Sequence, residues 1–91
     1  MSQVFVDPDE LEAFLNHLIQ FGRELQETNQ RLRMALGRLQ NTWRDQEYEK
    51  FISAYLRTEK ELQSLIQEIE QVSPKIRADI DFIRSYIQQQ I

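Results

Sequence analysis

The sequence predicts an all-α protein, an antiparallel two-helix hairpin that dimerises into a four-helix bundle. Two runs of mostly apolar residues advance by alternating steps of four and three, which keeps their side chains on one face of a helix. Gly and Pro occur only twice each in 91 residues, a composition typical of long helices. Since one short segment separates the two runs, we expect a single domain, residues 1–91, in which helix 2 folds back on helix 1.

Helix 1 is expected over residues 8–40, preceded by an extended tail at residues 1–6. Asp7 is a favourable N-cap, and Pro8 suits the first helical position because its missing N–H has no partner there anyway. The residues of helix 1 that follow the alternating steps of four and three, which we call its ladder, are Leu11, Leu15, Leu18, Gly22, Leu25, Asn29, Leu32, Leu36, Leu39 and Trp43.

The turn between the helices is expected at residues 41–45, although no Gly or Pro marks it. Asn41 or Thr42 is suited to close helix 1. Either Thr42 or Asp45 is suited to cap helix 2, because Thr and Asp side chains accept hydrogen bonds from the free N–H groups of a first helical turn.

Helix 2 is expected over residues 46–88. Pro74 interrupts it, and because proline removes one backbone hydrogen bond and clashes with the preceding turn, we expect a kink near Pro74, with Ser73 capping the second piece. The ladder of helix 2 consists of Tyr48, Ile52, Tyr55, Glu59, Leu62, Ile66, Ile69, Ser73, Ile76, Ile80, Ile83 and Ile87.

Polar ladder positions suggest how the two helices pair. In the expected pairing Asn29 lies opposite Glu59 or Thr58, so that one polar layer, Asn29 and Glu59, fixes the register. The same pairing leaves the last isoleucines of the chain without a partner on helix 1, namely Ile80, Ile83, Ile87 and Ile91.

Each helix also carries a second apolar row beside its ladder. These rows are Phe14, Phe21 and Ala35 on helix 1, and Phe51, Leu65, Val72 and Tyr86 on helix 2. In the expected pairing Gly22 lies opposite Leu65 and Ile66, where a glycine permits close approach.

Such wide apolar stripes belong to helices that several neighbours bury, and one partner helix cannot cover them. We therefore expect a homodimer or a dimer with a similar helical hairpin. The residues predicted to form the hairpin and dimer core are Leu11, Leu15, Leu18, Leu25, Leu32, Leu36, Leu39, Ile52, Tyr55, Leu62, Ile66, Ile69, Ile76, Ile80, Ile83 and Ile87.

Charge is distributed unevenly along the acidic chain, whose net charge is −4. Residues 28–44 contain four arginines, Arg31, Arg33, Arg38 and Arg44, and no acid, whereas residues 45–70 contain seven acids and three bases. Folding back places these stretches against each other, so the hairpin is electrostatically self-complementary. The arginines also leave open a third function, a nucleic-acid-binding regulator, although the acidic balance makes nucleic acid an unlikely partner.

Catalytic, cofactor and metal sites are not expected. Cysteine is absent and His17 is the single histidine, which leaves no thiol nucleophile and no convergent set of metal ligands. We also expect neither a membrane span nor a signal peptide, because apolar runs are short and the first five residues lack the basic and apolar blocks of a signal peptide. We therefore expect a noncatalytic protein without a small-molecule substrate, either cytoplasmic or secreted by a route that needs no signal peptide.

A tryptophan at the turn of a hairpin of this length, in Trp43-Arg44-Asp45, resembles the Trp-X-Gly family of small helical-hairpin proteins of type VII secretion, which are similar to the early secretory antigenic target. Asp45 stands where that family has glycine, as in shorter relatives with Trp-Arg-Asp. The resemblance implies a dimeric secreted effector, a carrier for a co-exported partner or an accessory component, with Trp43 forming part of a surface for a secretion ATPase. The alternative interpretation of Trp43 is that its indole fills the open end of the bundle.

The family's export signal, Tyr-x-x-x-Asp/Glu after helix 2, is not matched at Tyr86, which is followed by Gln90. The match of Tyr55 with Glu59 lies inside helix 2, and we interpret it as accidental. An alternative function is therefore a cytoplasmic structural adaptor that binds partner helices without export.

Overall fold

The computed structural model describes residues 6–89, which form two long antiparallel helices. Helix α1 spans Pro8–Leu39 and helix α2 spans Gln46–Gln89, and the molecule measures 68 × 27 × 16 Å. The predicted all-α hairpin is confirmed. The expected tail at residues 1–6 lies, except for Val6, outside the described residues.

Helix α1 begins at the predicted cap. The Asp7 carboxylate accepts a hydrogen bond of 2.9 Å from the N–H of Asp9, and Pro8 occupies the first turn. Asp9 and Glu10 place negative charge at this end, where it interacts favourably with the helix dipole.

The turn is closed at both sides by hydrogen bonds. The N–H groups of Thr42 and Trp43 donate to the Leu39 carbonyl over 3.0 and 2.8 Å, and the Thr42 hydroxyl donates to the same carbonyl. The Asp45 carboxylate accepts a hydrogen bond of 3.0 Å from the N–H of Tyr48. Asp45, rather than Thr42, is therefore the cap of α2. No described residue has a positive φ, which explains why this turn needs no glycine.

Helix α2 continues through Pro74 without a break. The predicted capping role of Ser73 is wrong, because its hydroxyl donates to the Ile69 carbonyl one turn earlier, over 2.6 Å. Inside a helix this is the bond that a serine hydroxyl readily makes. A kink near Pro74 stays a prediction.

The register of the two helices agrees with the expected one in the middle of the hairpin, where Asn29 is hydrogen-bonded to Glu59. Nearer the free ends it differs, because a Cβ atom on Gly22 would lie 3.3 Å from Cγ2 of Ile69, one turn beyond the expected Leu65 and Ile66. At the turn, the Trp43 and Tyr48 ring centroids lie 5.2 Å apart in an edge-on contact.

Near the free ends, α1 covers two isoleucines that were expected to lack a partner on it. Ile80 is fully buried and Ile83 is half-buried, because the first turns of α1 lie beside them. Ile87 is 46% exposed, and Ile91 lies outside the described residues. The expectation was therefore wrong for Ile80 and Ile83.

The buried apolar core is thin for a chain of this length. Within the described residues its members are Leu15, Leu36, Ile66, Ile69 and Ile80. Neither described helix combines the length and apolar character that crossing a lipid bilayer requires.

Candidate interaction surface

One long side of the hairpin is apolar and exposed. We call it the apolar face and define it by Phe14, Phe21, Leu25, Thr28, Leu32 and Ala35 of α1 and by Phe51, Tyr55, Thr58, Leu62, Leu65 and Val72 of α2. Phe14 and Phe21 are 53% and 48% exposed, and Leu65 is 45% exposed. The second apolar rows predicted from the sequence therefore lie largely uncovered in the single chain.

A groove of about 220 Å³ crosses the middle of the apolar face. Each helix contributes four residues at spacings of three, four and seven: Leu25, Thr28, Asn29 and Leu32 from α1, and Tyr55, Thr58, Glu59 and Leu62 from α2. Four residues so spaced form the hole that receives one side chain of a facing helix in knobs-into-holes packing. The groove therefore has the shape of a site for a side chain of another helix.

A polar cluster forms the floor of this groove. Glu59 is buried, and its carboxylate accepts two hydrogen bonds of 2.6 Å from Arg33 and one of 3.0 Å from the Asn29 amide. The Tyr55 hydroxyl lies within hydrogen-bonding distance of both the Glu59 carboxylate and the Asn29 carbonyl oxygen. The structure thus brings Asn29 and Glu59 together and adds two further members to the cluster.

The electrostatics of the cluster follow from these bonds. The hydrogen bonds from Arg33, followed by that from Asn29, lower the pKa of Glu59 to about 2, whereas burial is the main cause that raises the pKa of Tyr55. Glu59 is therefore an anion and Tyr55 a neutral phenol at neutral pH. Among the described residues no buried side-chain nitrogen or oxygen is left without a partner, so the cluster is satisfied within the chain.

The opposite side, which we call the polar flank, is closed by ion pairs near the free ends of the helices. Arg77 lies 2.7 Å from the Glu12 carboxylate, and Arg84 lies 3.1 Å from Glu12 and 2.9 Å from Asp9. The hydrogen bond from Arg84, followed by that from Arg77, lowers the pKa of Glu12 to about 2. These pairs join α1 to α2, and the sequence alone showed no sign of them because their members lie far apart along the chain.

Trp43 lies at the end of the hairpin and is half-buried against Tyr48. Arg44 and Asp45 are exposed, and Asp45 serves as the cap of α2. The indole therefore packs on the first turn of α2, while one side of it remains accessible at the turn.

The remaining residues considered in the sequence are the single histidine and the four arginines of residues 28–44. His17 is exposed, and the part of the chain that the structure describes holds no group of three acids or histidines able to bind a metal ion. Of the four arginines, Arg33 binds Glu59, and Arg31 lies 3.9 Å from Glu27 in an exposed pair.

Arg33 was missed as a member of the cluster, although it follows Asn29 by four residues and hence lies one turn further along the same side of α1.

Most residues of the predicted core are buried or half-buried in the single chain. Three are exposed beyond 40% and border the apolar face or the free end of α2: Leu32, Leu39 and Ile87.

A comparison with known protein families identifies the family of this chain. The family described as proteins of 100 residues with WXG, WXG100, matches residues 3–81. The chain belongs to the WXG100 family. Among curated proteins and among solved structures, none matches the chain significantly.

Membership in the WXG100 family confirms the resemblance drawn from Trp43. Members of this family are associated with type VII secretion without a signal peptide, and they typically dimerise with similar hairpins. In this chain Asp45 replaces the glycine of the motif, and its carboxylate ends the turn by capping α2.

Proposed function

We propose that this WXG100 protein is a noncatalytic module whose apolar face is covered by a second helical hairpin, and that the resulting four-helix bundle is a type VII secretion substrate, either an effector or a carrier of a co-exported partner. The observation that carries the proposal is the row of exposed large apolar side chains along the apolar face, among them Phe14, Phe21 and Leu65.

The dimensions of the apolar face fit such a partner. Contiguous apolar patches of more than a few hundred Å² are rare on monomeric proteins and mark interaction sites. A stable interface buries roughly 800 Å² on each partner. Helix α1 has 32 residues, so at a rise of about 1.5 Å per residue it offers a strip roughly 50 Å long. A facing hairpin of similar length would cover that strip.

Secretion is tested by following the protein in its host. The intact chain should accumulate in the culture medium of cells with functional type VII secretion genes and should disappear from it when the secretion ATPase is deleted. A cytosolic marker protein controls for lysis. Finding the chain only in the cytosol of secretion-competent cells would refute the export part of the proposal.

A cytoplasmic structural adaptor is the second candidate, and a specific observation favours it. Asp45 replaces the motif glycine, and Tyr86 is followed by Gln90 in place of the acidic residue of the family's export signal. In this function the apolar face binds a partner helix inside the cell. The cytosolic outcome of the secretion assay, together with co-purification of one helical partner in fixed ratio, would support it.

A further inference from the structure

We infer that the polar flank binds one amphipathic helix of another protein, which lies in the groove between α1 and α2 on that side of the hairpin. The docked helix carries an apolar, a polar and an apolar side chain at successive intervals of seven residues. This inference goes beyond the proposed function, because it concerns the side opposite the apolar face and a single helix rather than a hairpin.

Three holes follow one another along this groove, which we call the flank groove. Helix α1 lines the hole nearest the open end with Ile19, Gly22, Arg23 and Gln26, at i, i+3, i+4 and i+7. The same spacing recurs over residues 26–33 in the middle hole and over residues 33–40 in the turn-end hole. In knobs-into-holes packing, four residues so spaced receive one side chain of a facing helix. The holes therefore repeat at the interval at which one face of a helix repeats.

Helix α2 lines the same holes from the other side. It contributes Ile66, Ile69, Glu70 and Ser73 to the open-end hole, again at i, i+3, i+4 and i+7. Residues 59 and 63, seven before Ile66 and Glu70, line the middle hole. The holes measure about 390, 320 and 280 Å³ from the open end to the turn. They span residues 19–40 of α1, roughly 30 Å, which a helix of about 20 residues covers.

The chemical character of the holes determines the pattern of the docked helix. The floor of the open-end hole is apolar, since Ile66 and Ile69 are buried, and the turn-end hole is lined by Leu36 and Ile52 among others. The middle hole is lined by polar side chains alone, namely Gln26, Asn29, Gln30, Arg33, Glu59 and Gln63. An apolar side chain there would separate these groups from water without replacing the hydrogen bonds, whereas a glutamine or asparagine replaces them.

Gly37 provides a second observation, which packing within the hairpin does not explain. Nothing packs within 4 Å of a Cβ built on this residue, so no neighbouring side chain requires a glycine there. A glycine inside a helix nevertheless lowers its stability relative to alanine. Gly37 lines the turn-end hole, and its missing side chain leaves room there for a side chain of another molecule.

The charges at the rim of the open-end hole give a third argument. Arg23 of α1 and Glu70 of α2 lie on opposite rims, and both are exposed. Neither belongs to an ion pair within residues 6–89. A docked helix with acidic residues on its α1 side and basic residues on its α2 side complements both rims, and such complementarity selects the partner and its orientation.

A synthetic peptide tests the site on the full chain. The probe is a blocked helical peptide of about 20 residues with Leu, Gln and Leu at intervals of seven, glutamates on one side of this stripe and lysines on the other. Fluorescence anisotropy of a labelled peptide measures its binding. Replacing the central Gln of the peptide by Leu should weaken binding at least about tenfold, because the middle hole is polar.

Filling the turn-end hole from within the chain is the most direct variant. Gly37→Leu should weaken binding of the peptide at least about tenfold, while the melting temperature should not fall, because leucine is a better helix former than glycine. The matched control is Ala13→Leu at an exposed position. It lies nine residues before Gly22, about two and a half turns, and therefore on the opposite side of α1. It should leave binding unchanged.

Reversing one rim charge tests the complementarity. Arg23→Glu makes both rims of the open-end hole acidic, so it should weaken binding of the first peptide and strengthen binding of a second peptide that carries lysines on both sides of the stripe. Lys75→Glu changes the net charge equally at an exposed position that does not line the flank groove. It should change either affinity by no more than about twofold, because salt screens distant charges.

The outcomes test this inference separately from the proposed function. A peptide that does not bind at millimolar concentration, or that binds equally to Gly37→Leu and Arg23→Glu, would overturn the site. Phe21→Ala should leave binding unchanged, and a larger loss there than in Gly37→Leu would place the peptide on the apolar face instead. Weaker self-association of Gly37→Leu, with no peptide binding, would assign the groove to a second copy and refute the partner helix. None of these results decides whether the chain is exported.

Discussion

The two ends of the hairpin are held together by different means. The open half, where the free ends of α1 and α2 meet, contains four of the five buried apolar residues and the ion pairs of Glu12. Among the residues that the structure describes, the turn half contains one buried apolar side chain, Leu36 at 9% exposure, together with the contact of Trp43 with Tyr48. The Glu59 cluster lies between the two halves.

This difference shows how chain connectivity substitutes for burial. At the turn a short connection holds the helices close, so association there costs little loop-closure entropy. At the open end the helices are separated by nearly the whole chain and would fray without strong contacts. Burial and ion pairs are therefore concentrated where connectivity helps least.

The largest predicted effect concerns the core of the open half. Ile80→Ala removes the side chain that is 0% exposed and should lower the free energy of unfolding by about 3 kcal/mol, since a buried Ile→Ala change costs both transfer and cavity energy. Leu36→Ala in the turn half should cost clearly less, because its surroundings are more open. Urea denaturation at fixed protein concentration measures both values.

Phe82→Ala serves as the control for these variants and should change stability by no more than about 0.5 kcal/mol. Equal losses for Ile80→Ala and Leu36→Ala would contradict the proposed division of the hairpin into unequal halves.

The second prediction concerns acid. Because the pKa values of Glu12 and Glu59 are both lowered to about 2 from 4.5, their contribution to stability is complete above pH 4.5 and is lost as the pH falls from there towards 2. The melting temperature, followed by circular dichroism, should decline through that window. The pairs of Glu12 are solvent-accessible, so salt should weaken their share.

Substitutions assign the acid effect to the two halves. Glu12→Gln should flatten the acid decline and speed amide exchange at the open end alone, whereas Glu59→Gln should loosen the middle of the hairpin. Exchange that rises equally along both helices in Glu12→Gln would mean that the ion pairs do not act locally.

Features of the hairpin that depend on local spacing could be predicted from the sequence, whereas most contacts between the helices could not. Periodicity placed both helices, Asp7 identified the start of α1, and the exposed rows at Phe14 and Phe21 were recognised, because each depends on local spacing. The pairing of Asn29 with Glu59 was predicted as well, because both are polar residues at apolar positions. The contact of Gly22 with Ile69 and the ion pairs of Glu12 were not predicted, since they depend on how side chains of the two helices pack together, which no local pattern encodes.

The smallest predicted effect compares the two glycines, one in each half. Nothing lies within 4 Å of a Cβ built on Gly37, so Gly37→Ala should stabilise the turn half by about 0.8 kcal/mol through helix propensity alone. The same substitution at Gly22 gains that propensity but places a methyl group 3.3 Å from Cγ2 of Ile69. Ile69 is buried and must move by a few tenths of an ångström to admit that methyl group, so Gly22→Ala should stabilise less than Gly37→Ala. Thermal denaturation of both variants measures the difference, and a larger gain at Gly22 would show that the open half is packed more loosely than its burial indicates.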